Sequence, residues 1–180
     1  MTDAATLGAW KPKFQAWVKD SQELFAKGKA KEAFGHYPWF QTEGEPFVRL
    51  ARPASQTRFG LVTTGGYSID GEQEPFTGLP DFGDRAPEFR RIALDVDPAK
   101  LQIHHVGYDH RFAEQDPNAN LPLDRLSEMA ADRELGSVAN DSIVLMGLAP
   151  NVAPLVEQTI PRIVEQLRSD AVEAALLVPS

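Results

Sequence analysis

The last forty residues limit the fold of this chain more than any other stretch. A nearly continuous apolar run, SIVLMGL at 142–148, is followed by a helical pattern over 152–168 and a second apolar run at 172–178. Runs without polar alternation read as strands covered on both faces, and two of them joined by one helix make a βαβ unit. The apolar face of the helix is Val152, Leu155, Val156, Ile160, Ile163, Val164 and Leu167. Asn151 stands where a cap is needed, Pro154 falls in the first turn, where its missing N–H costs nothing, and Pro161 should kink the helix. The expected architecture is α/β: a mostly parallel sheet flanked by helices in Rossmann-like or flavodoxin-like layers, with an N-terminal helical extension over 1–40 and an α/β domain over 41–180. Sites on such sheets form beyond the carboxyl ends of the strands. Thr64, Gly65 and Ser180 are therefore expected on one rim with the loop after Leu148.

Upstream, RFGLVTT at 58–64 is strand-like and runs into Gly65-Gly66, a break that suits a sharp backbone turn. Residues 65–88 hold five glycines and three prolines with little periodicity. A connection of that length is either a binding loop or lid that selects the ligand, or a plain surface excursion. Two short strands are expected at 91–96 and 101–106, then a helix over 122–135 with Leu123, Leu126, Met129 and Ala130 on one side. At the N-terminus Trp10, Phe14, Trp17, Val18, Phe25 and Ala26 recur at helical spacing, which predicts one or two amphipathic helices ending near Gly28 or Gly35. Six of the seven lysines lie in residues 1–31. That basic segment reads more simply as the wet face of helices packed on their own domain than as a docking arm for an acidic partner.

Charge and composition narrow the function classes. The formal net charge is −8, from 18 basic and 26 acidic residues, so nucleic acid and anionic lipid are repelled at long range and neither is expected as a partner. No leader pattern opens MTDAATLGAWKPK and no apolar run approaches the roughly 18 residues of a membrane span; the expected location is the cytoplasm. Cysteine is absent, which removes disulfides, thiolate metal sites and an in-chain thiol nucleophile.

The chemically loaded stretch is HHVGYDHRFAEQDPNANLPLDRL at 104–126, with three of the four histidines and three aspartates directly after an expected strand. An aspartate beside a histidine can orient an imidazole whose pKa lies near neutrality, so His105, Asp109 and His110 are candidate acid/base residues. As metal ligands the same three match three positions of the HxHxDH signature of metallo-β-lactamase-like hydrolases. Gly107 stands at the second ligand position, and no histidine comes after His110, so no resident metal is expected. The plainer alternative is that His104 and His105 alternate across a strand, one buried and one exposed. Asp116 and Asn118 belong to an Asp-Pro-Asn turn that either adds polar groups to a ligand site or merely turns the chain. Thr63, Thr64, Gly65 and Gly66 offer hydroxyls and backbone N–H groups to a carboxylate.

The succession LVTTGG, HHVGYDH, DPNANLPLDRLSEMA, GSVAN, MG at 146–147 and AALLVPS resembles the selenoprotein B subunits of glycine, sarcosine, betaine and D-proline reductases. The resemblance covers about residues 38–180 and is most specific in the block from YDH to PLDRL. It implies reductive cleavage of a C–N bond: a selenolate attacks the α carbon of an amino acid derivative activated as a Schiff base on a separate pyruvoyl-bearing subunit. It also implies a selenocysteine or cysteine immediately after Ser180. This chain has neither, so the resemblance makes it redox-dead as written, with an α/β domain incomplete at its C-terminus and apolar surface left uncovered. Because selenocysteine is encoded by UGA, ordinarily a stop, a chain cut at its own catalytic codon is the expectation. Two further readings stay open: a noncatalytic α/β module for a small ligand, and a metal-assisted hydrolase built on His105, Asp109 and His110.

Overall fold

Hydrophobic pattern becomes strand and helix in a computed structural model that describes residues 4–42, 48–77 and 82–180. In chain order the helices are α1 (Ala4–Ala26), α2 (Ala30–Gly35), α3 (Arg111–Gln115), α4 (Leu123–Ala131), α5 (Val152–Pro154) and α6 (Ile160–Ser169). The strands are β1 (Arg58–Thr63), β2 (Tyr67–Ile69), β3 (Phe89–Ala93), β4 (Leu101–Ile103), β5 (Ser137–Val138), β6 (Asp141–Leu145) and β7 (Ala174–Val178). Among the described residues no helix is long and apolar enough to cross a membrane.

β1 is the central strand, and its alternating backbone groups show which neighbour lies on which side. Arg58 O accepts from Glu173 N and Thr64 N donates to Val178 O, which places β7 along one edge; Phe59 O accepts from Ala139 N, which places β5 and then β6 along the other. All three pair with β1 in parallel, whereas β3 closes the β6 side antiparallel, from Phe89 opposite Leu145 to Ala93 opposite Asp141. The sheet is thus mixed and mostly parallel. The 142–178 unit is the expected βαβ, with β1 between its two strands.

Three expectations need correction. The 101–106 strand does not join the sheet: β4 pairs antiparallel with β2, a strand inside what reads as loop, in a separate two-stranded ribbon. Glycine content hides β2, whose three residues are all buried. The strand at 172–178 is not covered on both faces: Leu176 of β7 is 39% and Leu177 68% exposed, the uncovered apolar surface that the resemblance leads one to expect. An apolar run records that cover is needed but not what supplies it. Finally, the helix expected over 152–168 is not continuous: a π turn at Leu155–Thr159 separates α5 from α6, and Pro161 falls in the first turn of α6. A widened turn there accommodates the carbonyl that proline cannot serve.

Two faces of the sheet carry two cores. Leu61, Ile92 and Val144 face α4 and the β2–β4 ribbon, joined by Tyr67, Leu121 and Leu126; Ile143 and Leu145 face α6 through Ile163. Each of these side chains is at least nine-tenths buried, a gain of roughly 1.5–3 kcal/mol apiece. A third, aromatic cluster fastens α1 and α2: Trp10, Phe14, Trp17 and Tyr37 pack against Ala153 of α5. Tyr37 Oη donates to Pro150 O at 2.7 Å, beside the start of α5. Asn151 caps α5 through Ala153 N at 3.2 Å, as its position suggests, and its amide donates to Gly83 O at 2.9 Å, tying the 82–88 segment to the sheet.

Candidate functional site

β1, β6 and β7 all run toward one rim, so the segments leaving their last residues meet there. Ser180 N donates to Thr64 Oγ1 at 2.9 Å. Gly65 bridges Met146, the residue after β6. Gly66, at φ +69°, turns the chain back under His105, and a Cβ on Gly66 would stand 3.1 Å from the backbone nitrogen of His105. The positive φ and that close approach are why glycine is needed here.

The loop carrying the histidines is pinned to this rim by a closed ring of hydrogen bonds. Tyr67 Oη donates to Asn120 Oδ1, Asn120 Nδ2 donates to Tyr108 Oη at 2.8 Å, and Tyr108 Oη donates to Gly65 O at 3.1 Å. Gly65 N donates to Thr63 Oγ1 at 3.1 Å, and Thr63 Oγ1 returns to Asn120 O at 2.7 Å. Every member is satisfied, the condition under which a buried polar network makes its surroundings rigid. Burial pushes both phenols above their ordinary range, so they act as hydroxyls.

Inside this frame sits His105, 4% exposed. Gly107 N donates to its Nδ1 at 2.9 Å. Since that ring nitrogen must accept, the neutral imidazole carries its proton on Nε2. Among the described residues Nε2 is the single buried side-chain polar atom with no partner. It faces Gly147, where a Cβ would stand 2.9 Å from it and 3.1 Å from Thr64 Oγ1. Two donors, the Nε2–H and the Thr64 hydroxyl, thus converge over a glycine at the mouth of the sheet. Burial first, and then the neighbouring His110, hold the His105 pKa below its ordinary value.

The other sequence-selected residues have separate partners. His110 Nε2 contacts the backbone O of His105, so His110 braces the loop. Asp109 is spent on Arg111, at 2.5 Å from Nη2, and faces solvent. Asp116 caps the 117–119 turn through Asn118 N at 3.0 Å, and Asn118 links it to Asp124 at the start of α4. Thr63 Oγ1 and the N–H groups of Gly65 and Gly66 are consumed internally, which leaves Thr64 as the member of that group with a hydroxyl proton to offer. His104 turns away from His105 toward Ser68, with Nε2 2.7 Å from Ser68 Oγ. Among the described residues no three His, Asp or Glu side chains are arranged to hold a metal ion; His105, Asp109 and His110 point to different partners. Tyr108, Asn120 and Gly147 are the participants that residue counting passes over. The one signal for them is local: Tyr108, Asn120 and Gly147 stand inside the YDH, DPNAN and MG motifs.

The pKa of His104 is also depressed, by burial and then by Arg90. A histidine whose folded pKa lies below its unfolded value near 6.5 disfavours the native state once protonated, so its contribution is intact above that value and is lost as pH falls through it. The urea midpoint is therefore expected to fall between about pH 6.5 and 5, before the carboxylates titrate. His104→Gln and His105→Gln should each flatten the decline; an equally steep profile in both would refute this assignment.

Fold and rim define an α/β protein whose candidate site lies where parallel strands end, with a neutral histidine as its fixed donor. The glycine/sarcosine/betaine reductase selenoprotein B family model matches residues 90–180, half of the chain, and the chain belongs to that family. It is 29% identical over 117 residues to the D-proline reductase subunit gamma of Acetoanaerobium sticklandii, covering 65% of this chain and 46% of the relative. To the glycine reductase complex component B subunit gamma of Carboxydothermus hydrogenoformans it is 25% identical over 158 residues, covering 86% of this chain and 35% of the relative. The matched region thus spans less than half the length of either curated relative. No solved structure matches the chain.

Proposed function

We propose that this chain forms the rim of a cytoplasmic reductase subunit that cleaves the C–N bond of a glycine, sarcosine, betaine or proline type derivative, working with a pyruvoyl-bearing partner subunit. The observation that carries this reading is the meeting of Ser180 N, Thr64 Oγ1, Gly147 and His105 Nε2 at the carboxyl ends of β1, β6 and β7. A selenocysteine or cysteine directly after Ser180 would supply the nucleophile there: its bond to the α carbon forms as the C–N bond breaks, and the electron pair leaves with the nitrogen, which takes up a proton. His105 contributes an electrophilic N–H rather than a base, because Nδ1 is occupied and burial keeps the ring neutral. Such a donor, fixed in a dry site, stabilises charge that develops during reaction without having to reorganise. Thr64 adds a second donor and anchors the backbone at Ser180. His110 holds the His105 loop; Asp109 acts on this loop through Arg111.

Reading the gene beyond codon 180 tests the proposal. The expected result is UGA or a cysteine codon, in frame with a short segment containing Pro and Cys and then a helical pattern. A UAA or UAG with no coding sequence beyond it would overturn the redox assignment and favour a noncatalytic ligand-binding module.

A further inference from the structure

β7 leaves one edge of the main sheet open: among the described residues it pairs with β1 alone. Thr64 N donates to Val178 O, so the backbone groups of Val178 face β1, and by strand alternation those of Ala175 and Leu177 point to the free edge. Natural edge strands are guarded by charges, prolines or bulges. Ala174–Val178 holds no charged residue, whereas β3 at the opposite edge carries Arg90 and Arg91.

The side chains point the same way. Leu176 lies beside Leu61 and Leu177 beside Val62, so the two exposed leucines project from opposite faces of the sheet. A helix laid on one face would cover one of them; a strand that continues the sheet covers both. On the Leu177 face, the Arg162 guanidinium over the Phe89 ring and Thr159 Oγ1 on Pro87 O turn one flank of α6 toward β3. The other flank, toward β7, is Ile160, Val164 and Leu167. Leu167 packs over Gly60 of β1, while Ile160 and Val164 remain exposed beside the open edge.

We infer that β7 is the interface of a two-fold dimer, in which a second copy of this chain adds its own β7 antiparallel and extends the sheet. The edge is self-complementary in one register. With the axis at Leu176, Ala175 exchanges both backbone hydrogen bonds with Leu177 of the second copy, and the reverse, so the outward groups of both residues are used. Each Leu177 then stands beside a small residue, Ala175 of the second copy, and the two Leu176 side chains meet on the other face. An axis at Leu177 would set Ala175 against Pro179, which has no N–H to donate. An axis at Ala175 would set Leu177 against Glu173, whose N–H already goes to Arg58 O. A stable interface covers about 800 Å² per partner, more than a five-residue strand supplies. The same axis, perpendicular to the sheet, brings the Ile160 and Val164 flanks of the two α6 helices together and adds their area. Pairing stops before Ser180, so the two rims stay open at opposite ends of the dimer, and the inference is independent of the redox assignment.

Sedimentation velocity of the 180-residue chain over a concentration series is expected to show twice the monomer mass. Leu177→Lys puts a charge where the single copy is exposed, so the fold is retained while the dimer dissociation constant rises at least about 100-fold. Because the chain has no cysteine, single-cysteine variants report the register. Leu176→Cys should oxidise to a disulfide-linked dimer; Leu177→Cys should not, since its two copies lie two residues out of line, roughly 8 Å apart and beyond disulfide reach. A monomer at every concentration, assemblies larger than two, a dimer that Leu177→Lys leaves intact, or equal cross-linking of the two cysteine variants would overturn the inference.

Discussion

On the proposed reductase function, replacing His105 by alanine is expected to lower kcat about 10²–10³-fold, the cost of losing one fixed donor from a preorganised site. The structural basis is the tautomer. A backbone N–H from Gly107 reaches Nδ1 at 2.9 Å, the proton is left on Nε2, and no atom among the described residues takes it up. A buried donor without a partner costs about 1–3 kcal/mol, and at a strand-end rim the economical explanation is that its acceptor arrives with the reaction. His105→Gln separates this from a packing effect: its amide N–H reaches toward the same space and should recover part of kcat, while alanine at this position leaves both a cavity and no donor. A purely structural histidine would show the reverse, with thermal stability lost and kcat per folded molecule unchanged in both variants. Steady-state kinetics alongside melting curves distinguishes the two outcomes.

Trp17→Ala should cost about 3–5 kcal/mol of stability, the range for emptying a large aromatic site in a core. Trp17 is 5% exposed, and ring centroids of Tyr37, Phe34, Phe25 and Phe82 lie 5.0, 5.5, 5.9 and 6.0 Å from its own. Its indole N–H donates to Ala33 O at 2.9 Å, fastening α2 to α1. Because this cluster is separate from the two sheet cores and meets them through α5, the loss should appear first as deprotection of α1 amides in hydrogen exchange and as a lower urea midpoint. A change below about 1 kcal/mol, the level of an ordinary surface substitution, would mean that the helices do not brace α5.

The lysine-rich face of α1 and α2 contributes to the same bracing. Lys11 reaches Glu157 at 2.7 Å, in the π turn between α5 and α6, and Lys27 and Lys29 pair within their own segment. Three of the six lysines of residues 1–31 are thus paired within this chain. Exposed pairs of this kind are worth little individually; the aromatic side of α1 supplies the attachment.

Much of this molecule was legible in the sequence because the relevant signals are local. The spacing of Trp10, Phe14 and Trp17 defines α1, the face from Val152 to Leu167 defines the helix between β6 and β7, Asn151 caps it, and the density of histidine at 104–110 marks the rim loop. The motif succession from LVTTGG to AALLVPS carried the family. Side-chain period, capping chemistry and motif order all act between residues a few positions apart, and no knowledge of the rest of the chain is needed to read them.

Tertiary structure alone decided which of those residues face each other. Nothing local distinguishes His105 from His104: one turns to Gly147 and the other to Ser68 because Gly66 reverses the chain beneath them and the Tyr67–Asn120–Tyr108 ring fixes the loop from across the fold. The pairing of β4 with β2, the antiparallel placement of β3 and the exposure of β7 likewise depend on neighbours distant in sequence. Hydrogen-bond donors and apolar faces are properties of a residue, whereas their partners are properties of the packed chain, and chemistry at the rim begins only with the partners.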